Sequence, residues 1–559
     1  MTDDDPKIGK HVLDLLTTGM YKEPRLIYRE YIQNSADQID LLSPDEKADA
    51  SRCIITIDID RIASRVKVMD TATGVPAKDF KARLLNVADS WKDPLKDKGF
   101  RGIGRLAGLA YCHKLIFETS AKGEKIVSRM EMDGDEMRKI LRDKKDKCSA
   151  SELIKRISTI TQNEGDIPEY KCYFQVTLEG VIPGVGGGLL EVDDVRDLLG
   201  QIAPIDFSRT VFKERKDEID SFAAKIGYPI QTYSISINGQ TLVKPYKTNI
   251  KGRTGAPEAK VEDIVFKKFV GQKGRILGWA WAAVPDQGKQ IVESTNPERM
   301  MRLRKDNIQI GMHDFFQGTA PDGGMYFPEL RSNGYMLGEV HIVDPTIRPN
   351  ADRNNLEVSE EANKFLMKLK ETLFADLWGA AKEGNALSKA RENIVKYITE
   401  LSQKGPKIED VSLPFEGRRK LAGELESMYK SAMNGLETLK KAKAKVKGEP
   451  DDESAIDLVR YSKTRDLDEL AAKVVKPPLV TPPVETPKAG PDTPFPSPPP
   501  LHPPHPRPRP GTKPDPKPIG PVFPPPPSLG DKVVKILVDS GLDVEAAIEA
   551  WKQIEPLVS

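Results

Sequence analysis

Apolar residues recur at helical spacing along 24–42: Tyr28, Ile32, Ala36 and Ile39 share one face, and Glu30, Asn34 and Asp37 line the other. A shorter helical pattern covers 8–18. Alternating apolar and polar positions then predict strands over 53–60, 65–70, 115–120, 125–132 and 172–180. A second mixed block runs from about 185 to 355, with strand patterns at 233–239 and 338–345. From 360 onward the period is helical, with Phe365, Leu366, Leu369, Leu373, Phe374 and Leu377 on one stripe. A second long helix is predicted through 418–448. Its basic end, Lys440 to Lys447, reads as a solvated helix terminus, where cations are favoured.

The helical pattern stops at a run of prolines. Between Pro477 and Pro527 lie about half of the 45 prolines. Proline removes the amide donor and fixes φ, so this stretch predicts an extended spacer. Beyond it, Val533, Ile536, Leu537, Val544, Ala547, Ile548 and Trp551 predict a helical hairpin broken at Gly541. The expected organisation is α+β: an α/β domain over 1–184, a second over 185–358, a helical region over 359–475, a Pro-rich linker over 476–528 and a hairpin over 529–559. The arm reads as a tether for the hairpin or as a segment that recruits a protein partner.

Composition narrows the classes. The chain has 559 residues, 38% hydrophobic and 30% charged, too long for one core and too apolar to be disordered throughout. Lys+Arg is 85 and Asp+Glu 84, so net charge gives no argument for DNA or an anionic membrane as partner. Cys53, Cys112, Cys148 and Cys172 form no C-x-x-C pair and predict a reducing compartment. The opening MTDDDPKIGK lacks an apolar signal region, and no apolar run reaches membrane-spanning length. The expected location is cytoplasmic.

Three short patterns carry candidate chemistry. Glu30, Asn34 and Asp37 fall within about 60° of one another on a helix, setting two carboxylates and an amide in a line. A carboxylate can orient water, and an amide oxygen can bind Mg²⁺. Asp70 ends the strand RVKVMD and enters the small-residue turn Thr71-Ala72-Thr73-Gly74. There a carboxylate can accept from an exocyclic amine while a flat ring approaches the backbone. Gly99, Gly102 and Gly104, with Arg101, Ile103 and Arg105 between and after them, precede the apolar run LAGLAYC. Closely spaced glycine amides with a following helix N-terminus suit phosphate. The stretch matches neither a Walker A loop nor the setting of a dinucleotide-binding turn.

In this order and within about 80 residues, the three patterns resemble the GHKL ATPase superfamily of gyrase, heat-shock-ninety chaperones, histidine kinases and MutL. The resemblance is closest to the heat-shock-ninety-like and MutL-like members. Glu30, Asn34 and Asp37 match its N-box, Asp70 and Gly74 its adenine turn, and Gly99, Gly102 and Gly104 its lid box. Ala72 stands where the family usually has Gly. Thr177 is similar to the family Thr that supports the adenine-site carboxylate. The resemblance implies a Bergerat-fold domain over 1–184, with a lid over Asn86 to Gly104 and the cofactors ATP and Mg²⁺, the metal on Asn34. Cofactor contacts are then expected from Asn34, Asp37, Asp70, Gly74, Gly99, Arg101, Gly102, Ile103, Gly104 and Thr177.

Residues 299–311 and 338–358 resemble the transducer domain of this class, whose loops deliver a cation to the γ-phosphate. Arg353, then Lys305 and Arg304, are the candidates. Glu30 is the expected catalytic water-activating group, which favours hydrolysis over phosphotransfer. None of the six His lies in a phospho-accepting helix with an adjacent acid. The resemblance implies a nucleotide-gated homodimeric clamp of chaperone type. The alternatives are a MutL-type clamp in DNA processing or phage defence, and a low-turnover scaffold.

Overall fold

The computed structural model describes residues 8–19, 23–87, 98, 102–165, 172–186, 188–251, 259–261, 263–285, 291–446 and 454–482. The Pro-rich run from 483 and the hairpin expected over 529–559 lie outside the described residues. So do Gly99 and Arg101 of the Gly-rich loop and positions 88–97 of the expected lid.

Eight strands form the first sheet: β1 (Ile54–Asp60), β2 (Arg65–Asp70), β3 (Cys112–Ser120), β4 (Ile126–Asp133), β5 (Ser158–Glu164), β6 (Tyr173–Val181), β7 (Ser234–Ile237) and β8 (Gln240–Thr241). Their order is β5-β4-β3-β6-β2-β1-β7-β8. β1 pairs antiparallel with β2 and parallel with β7, where Ile55 faces Ile235. The first sheet thus takes strands from beyond residue 184: Ile235 and Ile237 are fully buried and extend the apolar row begun by Ile55 and Ile57. β5, with the polar sequence STITQNE, lies at the sheet edge and carries little of the alternation that marks the other strands.

The helix Ile27–Asp40 packs against this sheet. Ile27, Tyr28, Ile32 and Ala36 have no exposed surface and share one core with Ile57, Val66, Val68 and Leu178. Each such side chain contributes about 1.5–3 kcal/mol of apolar burial. The helix is buried beyond its apolar stripe: Arg29, Gln33 and Asp37 are 3%, 2% and 2% exposed. An amphipathic helix on a surface would leave that side in water, so here a second layer covers it.

That layer includes the loop after a second sheet. A two-stranded ribbon, β9 (Asn249–Ile250) with β10 (Ala259–Lys260), precedes β11 (Val265–Val270), β12 (Ile276–Ala283), β13 (Met300–Lys305), β14 (Ile308–Ile310) and β15 (Leu337–Ile342), ordered β11-β12-β15-β13-β14. β13 and β15 run parallel. Ala280, Leu303 and Val340 of this sheet share a core with Phe365, Leu369 and Phe374 of the succeeding helices. Trp279 and Trp281 pack elsewhere, among Phe207, Phe212 and Tyr246. β15 carries a buried Glu339, which meets Arg304 at 2.6 Å, Lys244 at 2.7 Å and His341 at 3.1 Å.

The predicted helical region is present. Glu360–Lys368 passes through a π-turn, Leu369–Phe374, into Ala375–Glu409, which pairs with Phe415–Lys443 around Leu387, Ile394, Leu425 and Leu436. Ala455–Thr464 and Leu467–Lys473 follow, tied back by Arg460 to Glu383 and Arg391 to Asp466. Among the described residues, no helix is long and apolar enough to cross a membrane.

Candidate active site

Glu30 lies in the first turn of the Ile27–Asp40 helix, its side chain 13% exposed. Arg29 reaches it at 3.4 Å and donates a second bond to the Asp352 carbonyl at 2.8 Å. Asn34 follows one turn later, half-buried. Asp37 accepts the main-chain N–H of Lys98 at 2.9 Å. The helix therefore presents the predicted line of groups, but under cover rather than to bulk water.

Asp70 closes β2 and is 1% exposed. Its Oδ1 accepts from the Ala72 amide at 3.2 Å, which bends the chain into the turn. Gly74 has φ +65°, and a Cβ there would lie 2.1 Å from the Ser120 carbonyl oxygen. Only glycine combines that φ with that approach. Ala72, in the position where the resemblance expects Gly, is fully buried. It has no positive φ, so an L-residue carries no left-handed strain there, and its carbonyl accepts from Arg52 at 3.0 Å and from the Cys172 thiol at 2.7 Å.

The register places Thr177 elsewhere than expected. Asp70 faces Phe174 on β6, whereas Thr177 faces Lys67. Side chains alternate along a strand, so Thr177 points to the opposite side of the sheet from Asp70. The threonine that a neighbouring strand brings to the end of the turn is Thr119: it accepts from the Val75 amide at 3.0 Å and donates to the Tyr173 carbonyl at 2.6 Å, fully buried. Motif order alone could not find it, because it precedes the final strand. The pairing of β3 with β6, which sets Thr119 opposite Phe174, brings it there.

Of the Gly-rich loop, Gly102, Ile103 and Gly104 are described. Gly102 has φ +68°. A Cβ on Gly104 would sit 2.5 Å from Glu30 Oε2, so the loop and the helix touch. The apolar run after it was expected to be a helix with a useful N-terminal dipole. It is a seven-residue 3₁₀ segment, Gly104–Ala110. Its Gly108 amide donates to the Tyr31 hydroxyl at 3.0 Å, a tertiary bond that takes this donor out of any α-helical ladder. Its work is packing: Leu106, Ala107 and Leu109 are fully buried.

The second sheet's loop supplies Arg353, 4% exposed at φ +51°. It donates to the Lys98 carbonyl at 3.1 Å. Burial depresses its pKa to about 10, and the charges felt there are those of Asp306, Arg29, Glu30 and Asp37. Arg353 thus joins the helix in space across more than 300 residues of chain. Lys305 instead donates to the Asp344 carbonyl at 2.8 Å. Burial lowers its pKa too. Arg304 turns toward Glu339 and the Gln201 carbonyl. Asp306, the acidic group acting most strongly on Arg353, was not among the sequence candidates, although the dipeptide Asp306-Asn307, with φ of 54° and 59°, is a recognisable hairpin turn between β13 and β14.

Several buried donors here make no hydrogen bond among the described residues: Arg353 Nη1, Arg29 Nε and Gln33 Nε2. Buried polar atoms are normally satisfied, so unmatched donors beside a carboxylate suit an anionic ligand. The space a Cβ would need is taken by protein at both glycines, by the Ser120 backbone at Gly74 and by the Glu30 carboxylate at Gly104.

No curated protein matches the chain. The family model described as "Histidine kinase-, DNA gyrase B-, and HSP90-like ATPase" matches residues 30–159. That span runs from Glu30 through Asp70 and the Gly-rich loop to β5, and it leaves out Thr177, Lys305 and Arg353. With the motifs in their expected order on an eight-stranded sheet backed by helices, residues 30–159 are similar to the ATP-binding domains of the GHKL superfamily.

Proposed function

We propose that the chain binds ATP with Mg²⁺ at this site and hydrolyses it, and that the nucleotide state is passed to the second sheet through Arg353. Asp70 accepts a hydrogen bond from the exocyclic amine of adenine, and Gly74, at φ +65° against the Ser120 carbonyl, holds the turn in place. The amides of Gly102 to Gly104 face the phosphates. Asn34 would hold Mg²⁺, which neutralises triphosphate charge when bound. Glu30 takes a proton from the attacking water, a new P–O bond forms at the γ-phosphorus, and the bond to the ADP oxygen breaks. Arg353 Nη1 faces the negative charge of the γ-phosphate, an interaction that can supply several kcal/mol in a water-excluded site.

The observation that carries this reading is the meeting of three distant segments at one helix: Gly104 against Glu30, the Asp352 carbonyl against Arg29, and Arg353 tied to Asp37 through Lys98. A solvated polar face would need neither a buried guanidinium with one arm unbonded among the described residues nor a missing Cβ against its carboxylate.

The test is ATP turnover with and without DNA, for the wild type and Glu30→Gln. The expected result is magnesium-dependent hydrolysis in the wild type and a loss of about 10²–10⁴ in the variant, with nucleotide binding retained. Undiminished turnover in the variant rejects the role of Glu30. Binding without turnover in the wild type favours a nucleotide-gated scaffold, and strong stimulation by DNA favours a DNA-processing clamp. Homodimerisation belongs to the same proposal, and sedimentation with and without a non-hydrolysable ATP analogue tests it.

A further inference from the structure

Lys98 is held at every polar atom it has. Its amide donates to Asp37 at 2.9 Å, and its carbonyl accepts from Arg353 Nη2 at 3.1 Å. Its ammonium meets Asp40 at 2.5 Å and Gln231 at 3.5 Å, and lies 5.4 Å from the centre of the Tyr233 ring. The Tyr233 hydroxyl in turn donates to Asp40 at 2.8 Å. The Lys98 side chain is 3% exposed. Lysine is rarely buried unless paired, so a surface-anchoring role does not account for this environment.

The consequence falls on Arg353. A guanidinium is a planar fork, so fixing one arm aims the other. Nη2 is fixed by the Lys98 carbonyl, and Nη1 is the buried arm that makes no hydrogen bond among the described residues. The carbonyl stays in place because the same residue is tied on both sides, by its amide to Asp37 and by its ammonium to Asp40.

We infer that Lys98 is a positioning residue for Arg353: it holds the guanidinium so that its second arm faces the phosphate-bearing side of the Glu30 helix. This rests on the reading of the site as an ATPase centre. Lys98 touches no reacting atom in this scheme; it acts through Arg353.

The test is a kinetic cycle on the full chain with Lys98→Met, Arg353→Met and the double variant. For each, kcat is measured together with the Kd of a non-hydrolysable ATP analogue. Lys98→Met should lower kcat by about 10-fold while Kd stays within about 3-fold, since misplacing a fixed group costs rate before it costs binding. Lys98→Arg should restore most of that rate. In the Arg353→Met background, Lys98→Met should have no further effect, the non-additivity expected of residues acting in series. If Lys98→Met does not fold, Tyr233→Phe, which removes the hydroxyl on Asp40, should give a smaller loss of the same kind. Wild-type kcat in Lys98→Met, or additive losses in the double variant, overturns the inference. If Arg353→Met itself turns over ATP at the wild-type rate, the role of Arg353 falls and the inference falls with it. If Arg353→Met is impaired and Lys98→Met is not, only the role of Lys98 falls.

Discussion

Gly104 and Glu30 are in direct contact: a Cβ on Gly104 would stand 2.5 Å from Glu30 Oε2. The glycine is thus required by the carboxylate, apart from any need for backbone freedom. Gly104→Ala must push the Glu30 side chain, which has room to move because it is 13% exposed. The fold should therefore survive with a melting temperature close to the wild type, while ATP turnover drops by about 10-fold or more as the carboxylate leaves its place. Calorimetry and a phosphate-release assay on the same sample check both halves.

Gly74→Ala should behave differently. The clash there is with a backbone carbonyl at 2.1 Å, and φ is +65°. All the near atoms are backbone atoms of Ser120 and Ala121, which cannot swing aside as a side-chain end can. The strain should cost about 1–3 kcal/mol or more, read as a lower denaturant midpoint, and it should weaken adenine-nucleotide binding along with stability.

The two threonines separate by register. Thr119→Val strips the Val75 amide of its acceptor and the Tyr173 carbonyl of its donor, in a fully buried position. An unsatisfied buried group costs about 1–3 kcal/mol. Thr177→Val removes a hydroxyl on the opposite side of the sheet from Asp70 and should leave ATP affinity within about twofold, or about 0.4 kcal/mol. Isothermal titration of both variants distinguishes the assignments; a large loss of affinity in Thr177→Val reinstates the reading by motif order.

Acid should destabilise the second sheet. His341 is stacked on Trp279 at 4.5 Å and meets Glu339 at 3.1 Å. Burial depresses its pKa from 6.5 to about 4. The unfolded chain therefore takes up a proton that the folded chain resists, and stability falls as pH drops from about 6.5 to about 4. A shift of that size corresponds to about 3 kcal/mol. Glu339 works in the same direction. Burial opposes its ionisation, but the Arg304 and Lys244 charges outweigh this and hold it well below the usual carboxylate range. Melting temperatures from pH 7 to pH 4 should fall, and His341→Gln, which keeps a donor but does not titrate, should show the shallower slope.

Much of this protein can be read from local pattern. The alternation in RVKVMD and CYFQVTLEG located β2 and β6, and the stripe from Phe365 to Leu377 located the helices behind the second sheet, because period reports which face is buried wherever one face meets water. Motif spacing likewise placed Glu30, Asn34 and Asp37 on one helix, since i, i+4 and i+7 fall together on any α-helix. Tertiary structure alone decided the rest. β7 joins the first sheet beside β1, Thr119 rather than Thr177 stands at the Asp70 turn, the run after Gly104 is 3₁₀, and Arg353 comes to the Glu30 helix while Lys305 binds Asp344. Each of these depends on strand register or on contacts between residues far apart in the chain. Local propensity carries no signal for such pairings, because the free energy that selects them arises only when the distant surfaces are packed together.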